Sequence, residues 1–261
     1  MSDEIPDGKY VLKIFRGSPG RQYWEEFLLD LVPGENVISG LMEIQKRPIN
    51  RLGERVAPVV WESGCLEEVC GSCSMLINGY PRQACTALIE NYLRETKSKT
   101  ILLAPFTKFP LVRDLIVDRS VMFENLKKVH GWIDTEGSHE SGFGPLIGQA
   151  KQEVMYVLST CMTCGCCAEA CPQVNERSAF IGPAPISQAR LFNAHPTGKM
   201  QRRFRLRPLM EEGGISDCGN AQNCVEVCPK NIPLTDSIAV IGRDVTLQSL
   251  RDVFSFYDRE D

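Results

Sequence analysis

Cysteine is the residue type whose number and spacing in this sequence point to chemistry. The chain has 261 residues and twelve cysteines. A reducing compartment keeps thiols out of disulfides, so clustered cysteines there indicate metal binding or redox chemistry. The cysteines form three groups along the chain: Cys65, Cys70, Cys73 and Cys85; Cys161, Cys164, Cys166, Cys167 and Cys171; and Cys218, Cys224 and Cys228.

The first group has the spacing C-x4-C-x2-C-x11-C, which is typical of a plant-type two-iron, two-sulfide cluster. Three thiolates come from one tight loop and the fourth comes from a later segment. Gly64 and Gly71 permit backbone angles that turn amide groups toward the sulfurs. The alternative is a four-thiolate zinc site, but such sites typically combine two close pairs of cysteines. The spacing therefore favours the two-iron cluster.

The second group lies in CMTCGCCAEACP, residues 161–172, which contains a complete C-x2-C-x2-C-x3-C-P run. The third group lies in CGNAQNCVEVCP, residues 218–229. It matches the same run except that Ala221 stands at the second cysteine position. In ferredoxins with two such runs, the fourth cysteine of each run binds the cluster of the other run. This exchange assigns two different ligand sets.

One set has four thiolates and predicts a four-iron, four-sulfide cluster: Cys161, Cys164, Cys167 and Cys228. The other set has three thiolates, because alanine cannot bind iron, and predicts a three-iron, four-sulfide cluster: Cys171, Cys218 and Cys224. Decay of the third run is the alternative, but the spacings on both sides of Ala221 are intact. The assignment leaves Cys166 over, and we interpret it as a buried free thiol packed beside the cluster.

The composition is that of a folded protein that is not a general nucleic-acid binder. Hydrophobic residues make up 43% of the chain and the formal net charge is −4, whereas nucleic-acid binding needs clustered positive charge. The sequence has no nucleotide-binding glycine fingerprint, no apolar run of the ~18 residues that span a membrane and no secretory signal pattern at its N-terminus.

His195 is interpreted as structural. The segment 199–207, KMQRRFRLR, carries five positive charges and faces either a membrane or acidic partner, or solvent.

The elements that must position the first group follow the hydrophobic pattern. Asn36 caps a predicted helix over residues 36–45. The segment SMLINGYPRQAC turns at Asn78-Gly79, a typical hairpin dipeptide. Strands are predicted for residues 10–17, 25–32, 55–64, 74–85 and 99–106. Two strands, a helix and then further strands are typical of a β-grasp ferredoxin, so the pattern predicts a plant-type domain over residues 1–105.

The remainder of the chain has a helical pattern. Pro105 and Pro110 interrupt the sequence, so we place a domain boundary near residue 105. Residues 111–133 have the pattern of a long amphipathic helix, and the Gly- and Ser-rich residues 135–145 predict a surface loop. The predicted fold class is therefore α+β, with an all-α, bacterial-ferredoxin-like domain over residues 106–261 that carries the four-iron and three-iron clusters.

These motifs together resemble the iron–sulfur subunit of succinate dehydrogenase and fumarate reductase. The resemblance rests on the plant-type domain, the complete run, the segment FIGPAP (180–185) and the C-x5-C-x3-C-P run. The segment NCVEVCPKNIPLTDSI (223–238) is also similar to that family. The resemblance covers nearly the whole chain, and the order of the three sites is its most specific part.

The resemblance implies a subunit that passes electrons one at a time. A separate flavoprotein holds FAD and oxidises succinate to fumarate, and the electrons then pass through two-iron, four-iron and three-iron clusters to a membrane quinone. A cytochrome b subunit with haem b anchors the complex in the membrane. By resemblance, this chain is peripheral, on the cytoplasmic face of a bacterial cell membrane, and the dicarboxylate site lies on the flavoprotein.

The quinone region departs from the family's ubiquinone-linked members. Those members commonly carry tryptophan shortly after the proline that corresponds to Pro172 and histidine after the cysteine that corresponds to Cys218. Here neither is present, and Gly219 follows Cys218. The segments LFNAHPTGK and DCGNAQNC are more similar to menaquinone-linked bacterial members. The resemblance therefore implies menaquinone, and Pro172 is the only residue carried over to the vicinity of the quinone.

Three other functions remain open from the sequence. The same complex can run in reverse as a quinol:fumarate reductase, because direction depends on potentials that the sequence does not fix. A free multi-cluster ferredoxin is a second alternative, although two fused domains exceed what a diffusing carrier needs. A zinc-dependent scaffold without redox function is the third, and it would be colourless whereas iron–sulfur proteins are brown.

Overall fold

The structure is a computed structural model that describes residues 4–134 and 145–257. The chain forms two compact units. The first unit comprises Met1–Arg119 together with Cys164–Glu169, and the second comprises Ser120–Thr163 together with Ala170–Asp261. The boundary predicted near residue 105 stays a prediction. No sequence pattern predicted that a short piece of the second cysteine run, Cys164–Glu169, belongs to the first unit.

The first unit is built on a five-stranded sheet. The strands lie in the order β2-β1-β5-β3-β4, and β5 runs parallel to β1 while the other neighbouring pairs are antiparallel. Asn78 and Gly79 form the β3–β4 turn with φ of 50° and 79°, which confirms the predicted hairpin. The strands are β1 (Lys9–Ser18), β2 (Arg21–Asp30), β3 (Ser74–Ile77), β4 (Tyr80–Gln83) and β5 (Thr100–Ala104).

Two helices accompany the sheet, α1 (Val37–Lys46) and α2 (Ile89–Thr96). The first was predicted with its cap. Asn36 Oδ1 accepts a hydrogen bond from the Ser39 backbone N–H at 3.0 Å, and Asn36 Nδ2 donates to the Cys85 carbonyl at 2.8 Å. One side chain therefore begins the helix and holds the segment that carries the last cysteine of the first group. Helix α2 was not predicted.

The strand predicted over residues 55–64 is wrong. The segment 56–64 joins no sheet. The backbone of Val60 hydrogen-bonds to Asp114 and Leu115 instead. The Val60 N–H donates to Asp114 Oδ2 at 2.9 Å, and the Val60 carbonyl accepts from the Leu115 N–H at 3.2 Å.

The long helix predicted over residues 111–133 is also wrong. The segment forms a small hairpin of β6 (Leu111–Arg113) and β7 (Ile116–Val117), followed by α3 (Ser120–Lys128). Asp114 makes the turn with φ of 48°. Its buried carboxylate accepts from the Gly17 N–H at 2.7 Å and from Arg16 at 3.3 Å. These contacts, made over almost a hundred residues of sequence, outweigh the local helical pattern.

The second unit is helical. Its described residues, 120–134, 145–163 and 170–257, contain no strand. No helix among the described parts of the chain is long and apolar enough to cross a membrane. The surface loop predicted for residues 135–145 lies almost entirely outside the described ranges. The helices that follow α3 along the chain are α4 (Gln149–Ser159), α5 (Cys166–Ala170), α6 (Pro183–Ala194), α7 (Arg202–Met210), α8 (Asn223–Glu226) and α9 (Leu234–Tyr257).

The basic segment 199–207 is tied into the second unit. Arg202 pairs with Asp244 at 3.1 Å and Arg203 pairs with Asp252 at 3.0 Å, so both arginines bind helix α9. Arg205 is fully buried. Its guanidinium binds five oxygens: the carbonyls of His130, Trp132 and Gly198, and the amide side chains of Asn193 and Gln201. The sequence analysis predicted that this segment faces a membrane or acidic partner, or solvent. Arg205 does neither and has a structural role inside the second unit.

His195 makes the structural contacts that the sequence analysis predicted. Its Nδ1 accepts a hydrogen bond from the Thr197 backbone N–H at 3.2 Å and lies 3.5 Å from the Gly198 nitrogen. The imidazole therefore stabilises the turn that leads from α6 into the 3-10 helix Gly198–Gln201.

Candidate iron–sulfur sites

The first cysteine group lies on a loop whose backbone N–H groups point at sulfur. Cys65 Sγ accepts hydrogen bonds from the N–H groups of Glu67, Val69 and Cys70 at 3.2 to 3.3 Å. Cys70 Sγ accepts from the Cys65 N–H at 3.3 Å. Thiolates are acceptors that need such donors, so this loop is suited to hold them in the charged form.

Left-handed backbone makes this arrangement possible. Leu66 and Glu68 have φ of 62° and 54°, and Gly71 has φ of 72°. Such conformations cost energy for residues other than glycine and persist where surrounding contacts fix them. A Cβ at Gly64 would lie 3.0 Å from Cys70 Sγ, so Gly64 leaves room for the sulfur. Both glycines singled out in the sequence therefore have a physical role in the loop.

The thiols of this group lie in two hydrogen-bonded pairs with different environments. Hydrogen bonds from the Cys65 backbone and from the side chain and backbone of Ser72 lower the pKa of Cys70 to about 6. Burial raises the pKa of Cys73 to about 12, and the neighbouring Cys85 thiol adds to the effect. Cys85 lies in the 3-10 helix Ala84–Thr86 that directly follows β4. Two paired sets of thiols with directed amide donors fit the ligand set of a two-iron cluster.

The second cysteine run is divided between the two units. Cys164, Cys166 and Cys167 lie in the first unit, and the second unit contains Cys161 and Cys228. Thr163 and Gly165 have φ of 52° and 93°, so this run also turns through left-handed backbone. The assignment of a four-iron cluster to Cys161, Cys164, Cys167 and Cys228 stays a prediction from the sequence.

Glu169 fixes the piece of the run that belongs to the first unit. It is 7% exposed, and its carboxylate accepts three hydrogen bonds. The Thr107 N–H and hydroxyl donate to Oε1 at 2.9 and 2.7 Å, and the Lys108 N–H donates to Oε2 at 3.1 Å. Glu169 was not singled out in the sequence, because a glutamate between cysteines carries no signal for partners sixty residues earlier.

The third site is a cavity in the second unit. Cys171, Cys218 and Cys224 line it, and Ala221 lines the same cavity. Burial raises the pKa of Cys224 to about 11, with further contributions from the charges of Cys171 and Cys218. The structure thus brings together the three cysteines that the sequence grouped, with the alanine among them. This donor set fits a cluster that is held by three thiolates.

Pro172 also lines this cavity, together with Gln173 and Gly219. A Cβ at Gly219 would lie 2.5 Å from Gln173 Nε2. The Gln173 side chain therefore occupies the space into which a side chain at position 219 would extend. Gln173 is a residue of this site that the sequence analysis missed, because only the fold places it against Gly219.

None of the twelve cysteines, all of which lie in the described ranges, forms a disulfide. Among the residues that the structure describes, no group of three or more His, Cys, Asp or Glu side chains is arranged to hold a single metal ion. The cysteine sets therefore have to be judged by their spacing, their burial and their hydrogen-bond donors.

Comparisons with known proteins agree with two kinds of cluster-binding domain. A family model described as "2Fe-2S iron-sulfur cluster binding domain" matches residues 11–124. A second, described as "4Fe-4S dicluster domain", matches residues 157–232. The chain therefore has a two-iron and a four-iron cluster-binding domain, as the cysteine spacings predicted.

Two curated relatives and one solved structure resemble the chain over most of its length. It is 56% identical over 232 residues to the succinate dehydrogenase iron–sulfur subunit of Bacillus subtilis (strain 168). The matched region covers 89% of this chain and 90% of that protein. It is 27% identical over 240 residues to the fumarate reductase iron–sulfur subunit of Wolinella succinogenes, with coverages of 89% and 95%.

The fold is similar to that of a chain in the Mycobacterium smegmatis Sdh1 complex in the apo form, with a TM-score of 0.73, 22% identity and coverages of 92% and 96%. The two family models and the 56% identity over most of both proteins carry the assignment further than fold. The chain belongs to the family of iron–sulfur subunits of succinate dehydrogenase and fumarate reductase.

Proposed function

We propose that this chain carries electrons one at a time from a FAD-containing flavoprotein to a membrane quinone, as the iron–sulfur subunit of a succinate:quinone oxidoreductase. The observation that supports the proposal most is the cavity where Cys171, Cys218 and Cys224 meet Ala221. That arrangement offers three thiolates and no fourth, which fits a three-iron, four-sulfide cluster better than a second four-iron cluster.

The reaction of such a complex balances in electrons and protons. Succinate loses two electrons and two protons to give fumarate on the flavoprotein, and a quinone takes up two of each to give a quinol. Iron–sulfur clusters bound to this chain would supply one-electron transfer between the two sites. The chain's own residues hold the clusters with thiolates, and backbone N–H groups and buried side chains set the electrostatic environment of the sulfurs.

We propose a β-grasp plant-type ferredoxin domain over residues 1–105 and a helical ferredoxin domain over residues 106–261. The mixed sheet of the first unit supports the β-grasp domain, and the helices of the second unit support the helical domain. The backbone donors at Cys65 and Cys70 support the two-iron site. The proposed ligands are Cys65, Cys70, Cys73 and Cys85 for the two-iron cluster; Cys161, Cys164, Cys167 and Cys228 for the four-iron cluster; and Cys171, Cys218 and Cys224 for the three-iron cluster.

The proposed electron acceptor is menaquinone, with Pro172 in its vicinity. Support comes from Gly219 and Gln173, which differ from the histidine and tryptophan pattern of the family's ubiquinone-linked members. The Gln173 amide lies where a side chain at position 219 would extend. The polar groups that line this cavity therefore differ from those expected in the ubiquinone-linked members. We propose that the chain is peripheral on the cytoplasmic face of the membrane, held by a cytochrome b anchor subunit with haem b.

Electron paramagnetic resonance of the air-oxidised complex tests the cluster content, with non-haem iron counted on the same sample. An oxidised three-iron cluster is paramagnetic, whereas oxidised two-iron and four-iron clusters are silent. We expect a three-iron signal and about nine irons bound to this chain, from two, four and three. A sample without a three-iron signal and with about ten non-haem irons would contradict the three-thiolate site, and zinc in place of iron in this chain would contradict the whole proposal.

Turnover of the assembled complex in both directions separates succinate oxidation from fumarate reduction. The 56% identity to a succinate dehydrogenase subunit, against 27% to a fumarate reductase subunit, leads us to propose succinate oxidation as the main direction. We expect faster reduction of a menaquinone analogue by succinate than oxidation of its quinol by fumarate. Matched assays with ubiquinone and menaquinone analogues test the quinone, and a preference for ubiquinone would contradict that part of the proposal.

A further inference from the structure

A buried glutamine lies between the two cysteine segments of the first unit. Gln83, the last residue of β4, is completely buried. Its Nε2 donates to Ser74 Oγ at 2.9 Å and to Cys166 Sγ at 3.4 Å. Both N–H groups of the amide are therefore used as donors. Its Oε1 has no hydrogen-bond partner among the described residues.

One branch of this network reaches the two-iron loop. Ser74 Oγ donates to the Gly71 carbonyl at 2.7 Å. Gly71 lies directly after Cys70, and Ser74 lies directly after Cys73. The hydroxyl therefore fixes the tight turn that carries two of the proposed two-iron ligands, and Gln83 fixes the hydroxyl.

The other branch reaches the second cysteine run. Cys166 is completely buried, and no proposed cluster uses its thiol. The thiol hydrogen-bonds the Cys164 sulfur. Cys166 thus has a donor on one side and an acceptor on the other, as a relay of hydrogen bonds requires.

We propose that Cys166 and Gln83 are positioning residues of the four-iron site, in which the Gln83 N–H orients the Cys166 thiol so that it donates to the Cys164 sulfur. The inference rests on the proposed role of Cys164 as a four-iron ligand. A hydrogen bond to a ligand sulfur stabilises the reduced cluster, which carries one more negative charge, and so raises its reduction potential. The same amide links this contact to the two-iron loop through Ser74.

The test is a redox titration of the two-iron and four-iron clusters in the purified complex. Electron paramagnetic resonance measures the reduced form of each cluster. Cys166→Ala removes the donor, and Cys166→Ser keeps a donor at the same position. Ile101→Val is the control, because Ile101 is a completely buried residue of the sheet core and the change removes one methyl group without touching the cysteines. Gln83→Met keeps the side-chain length and removes both N–H donors.

We expect Cys166→Ala to lower the ratio of reduced to oxidised four-iron cluster about threefold to tenfold at the wild-type midpoint, the range of one hydrogen bond. At 59 mV per tenfold for one electron, this is a shift of about 30 to 60 mV to lower potential. Cys166→Ser should stay closer to the wild type, and Gln83→Met should shift in the same direction as Cys166→Ala. The two-iron potential of Cys166→Ala should be unchanged.

Two results would overturn the inference. One is a four-iron potential in both Cys166→Ala and Gln83→Met that equals that of the wild type. The other is a shift of the same size in Ile101→Val or in Cys166→Ser, which would indicate general loosening. A wild-type complex without a reduced four-iron signal would instead contradict the proposed function, so the two failures are distinguishable.

Discussion

Glu169→Gln is expected to loosen the piece of the second cysteine run that belongs to the first unit. The carboxylate accepts from the Thr107 N–H, the Thr107 hydroxyl and the Lys108 N–H, at 2.7 to 3.1 Å. A glutamine amide has one oxygen, so in either orientation its NH₂ faces a backbone N–H and at least one of the three hydrogen bonds is lost. The variant keeps the size of the side chain and removes only charge and acceptor capacity.

The free-energy cost follows from these contacts. One lost hydrogen bond to a charged acceptor costs about 1.5 to 3 kcal/mol. The remaining bonds weaken, because charge-assisted bonds are roughly twice as strong as neutral ones. The smaller desolvation of the neutral amide offsets part of this loss. We expect a net cost of about 2 to 3 kcal/mol, which corresponds to an opening of Cys164–Glu169 that is roughly 30-fold to 150-fold more frequent.

Hydrogen–deuterium exchange of the assembled complex measures this opening. Peptides that cover residues 105–109 and 164–170 should lose protection by the same factor, while peptides of α9 should keep theirs. Glu176→Gln is the matched control, because Glu176 is an exposed carboxylate of the second unit. Wild-type protection of residues 164–170 in Glu169→Gln would refute the argument that this carboxylate holds the run. Equal loss in the control would refute it as well.

Three further substitutions test other parts of the structure. Ala221→Cys supplies a fourth thiolate in the cavity, so iron should rise from about nine to about ten per chain. The electron paramagnetic resonance signal of the oxidised three-iron cluster should disappear. Ala221→Ser should leave the iron count and the signal unchanged. Arg205→Met removes the donors to five oxygens around a fully buried guanidinium. The second unit should lose about 3 kcal/mol, measured by exchange in α7, with Arg207→Met as the control. Asn36→Ala removes the cap of α1 and should cost about 1 kcal/mol, seen as faster exchange of the Ser39 N–H.

The parts of the site that the sequence predicted correctly are local in the chain. The two-iron and four-iron domains follow from cysteine spacing because three cysteines of each set lie within one short segment of the chain. The hairpin at Asn78-Gly79 and the cap at Asn36 follow from residues whose conformational preferences act over two or three positions. The matching family models confirm both kinds of cluster-binding domain, whereas the domain boundaries and the individual ligand assignments stay predictions.

The parts that the sequence did not predict depend on contacts between distant residues. Asp114 replaces a predicted helix by a turn because it binds Arg16 and the Gly17 N–H. Gln83 and Cys166 meet across 83 positions. Periodicity reports which face of an element is buried but not which polar group lies there, so a buried amide or carboxylate between distant segments leaves no pattern in one sequence.

The membership of Cys164–Glu169 in the first unit has a consequence for biosynthesis. Fifty residues separate Arg119 from Glu169, and at a synthesis rate of about 5 to 20 residues per second they take about 3 to 10 s to emerge. During this interval Thr107 and Lys108 lack the acceptor that Glu169 provides. The first unit of a nascent chain is therefore incomplete after residues 1–119 have been translated. A fragment that ends at Arg119 would retain the same defect permanently.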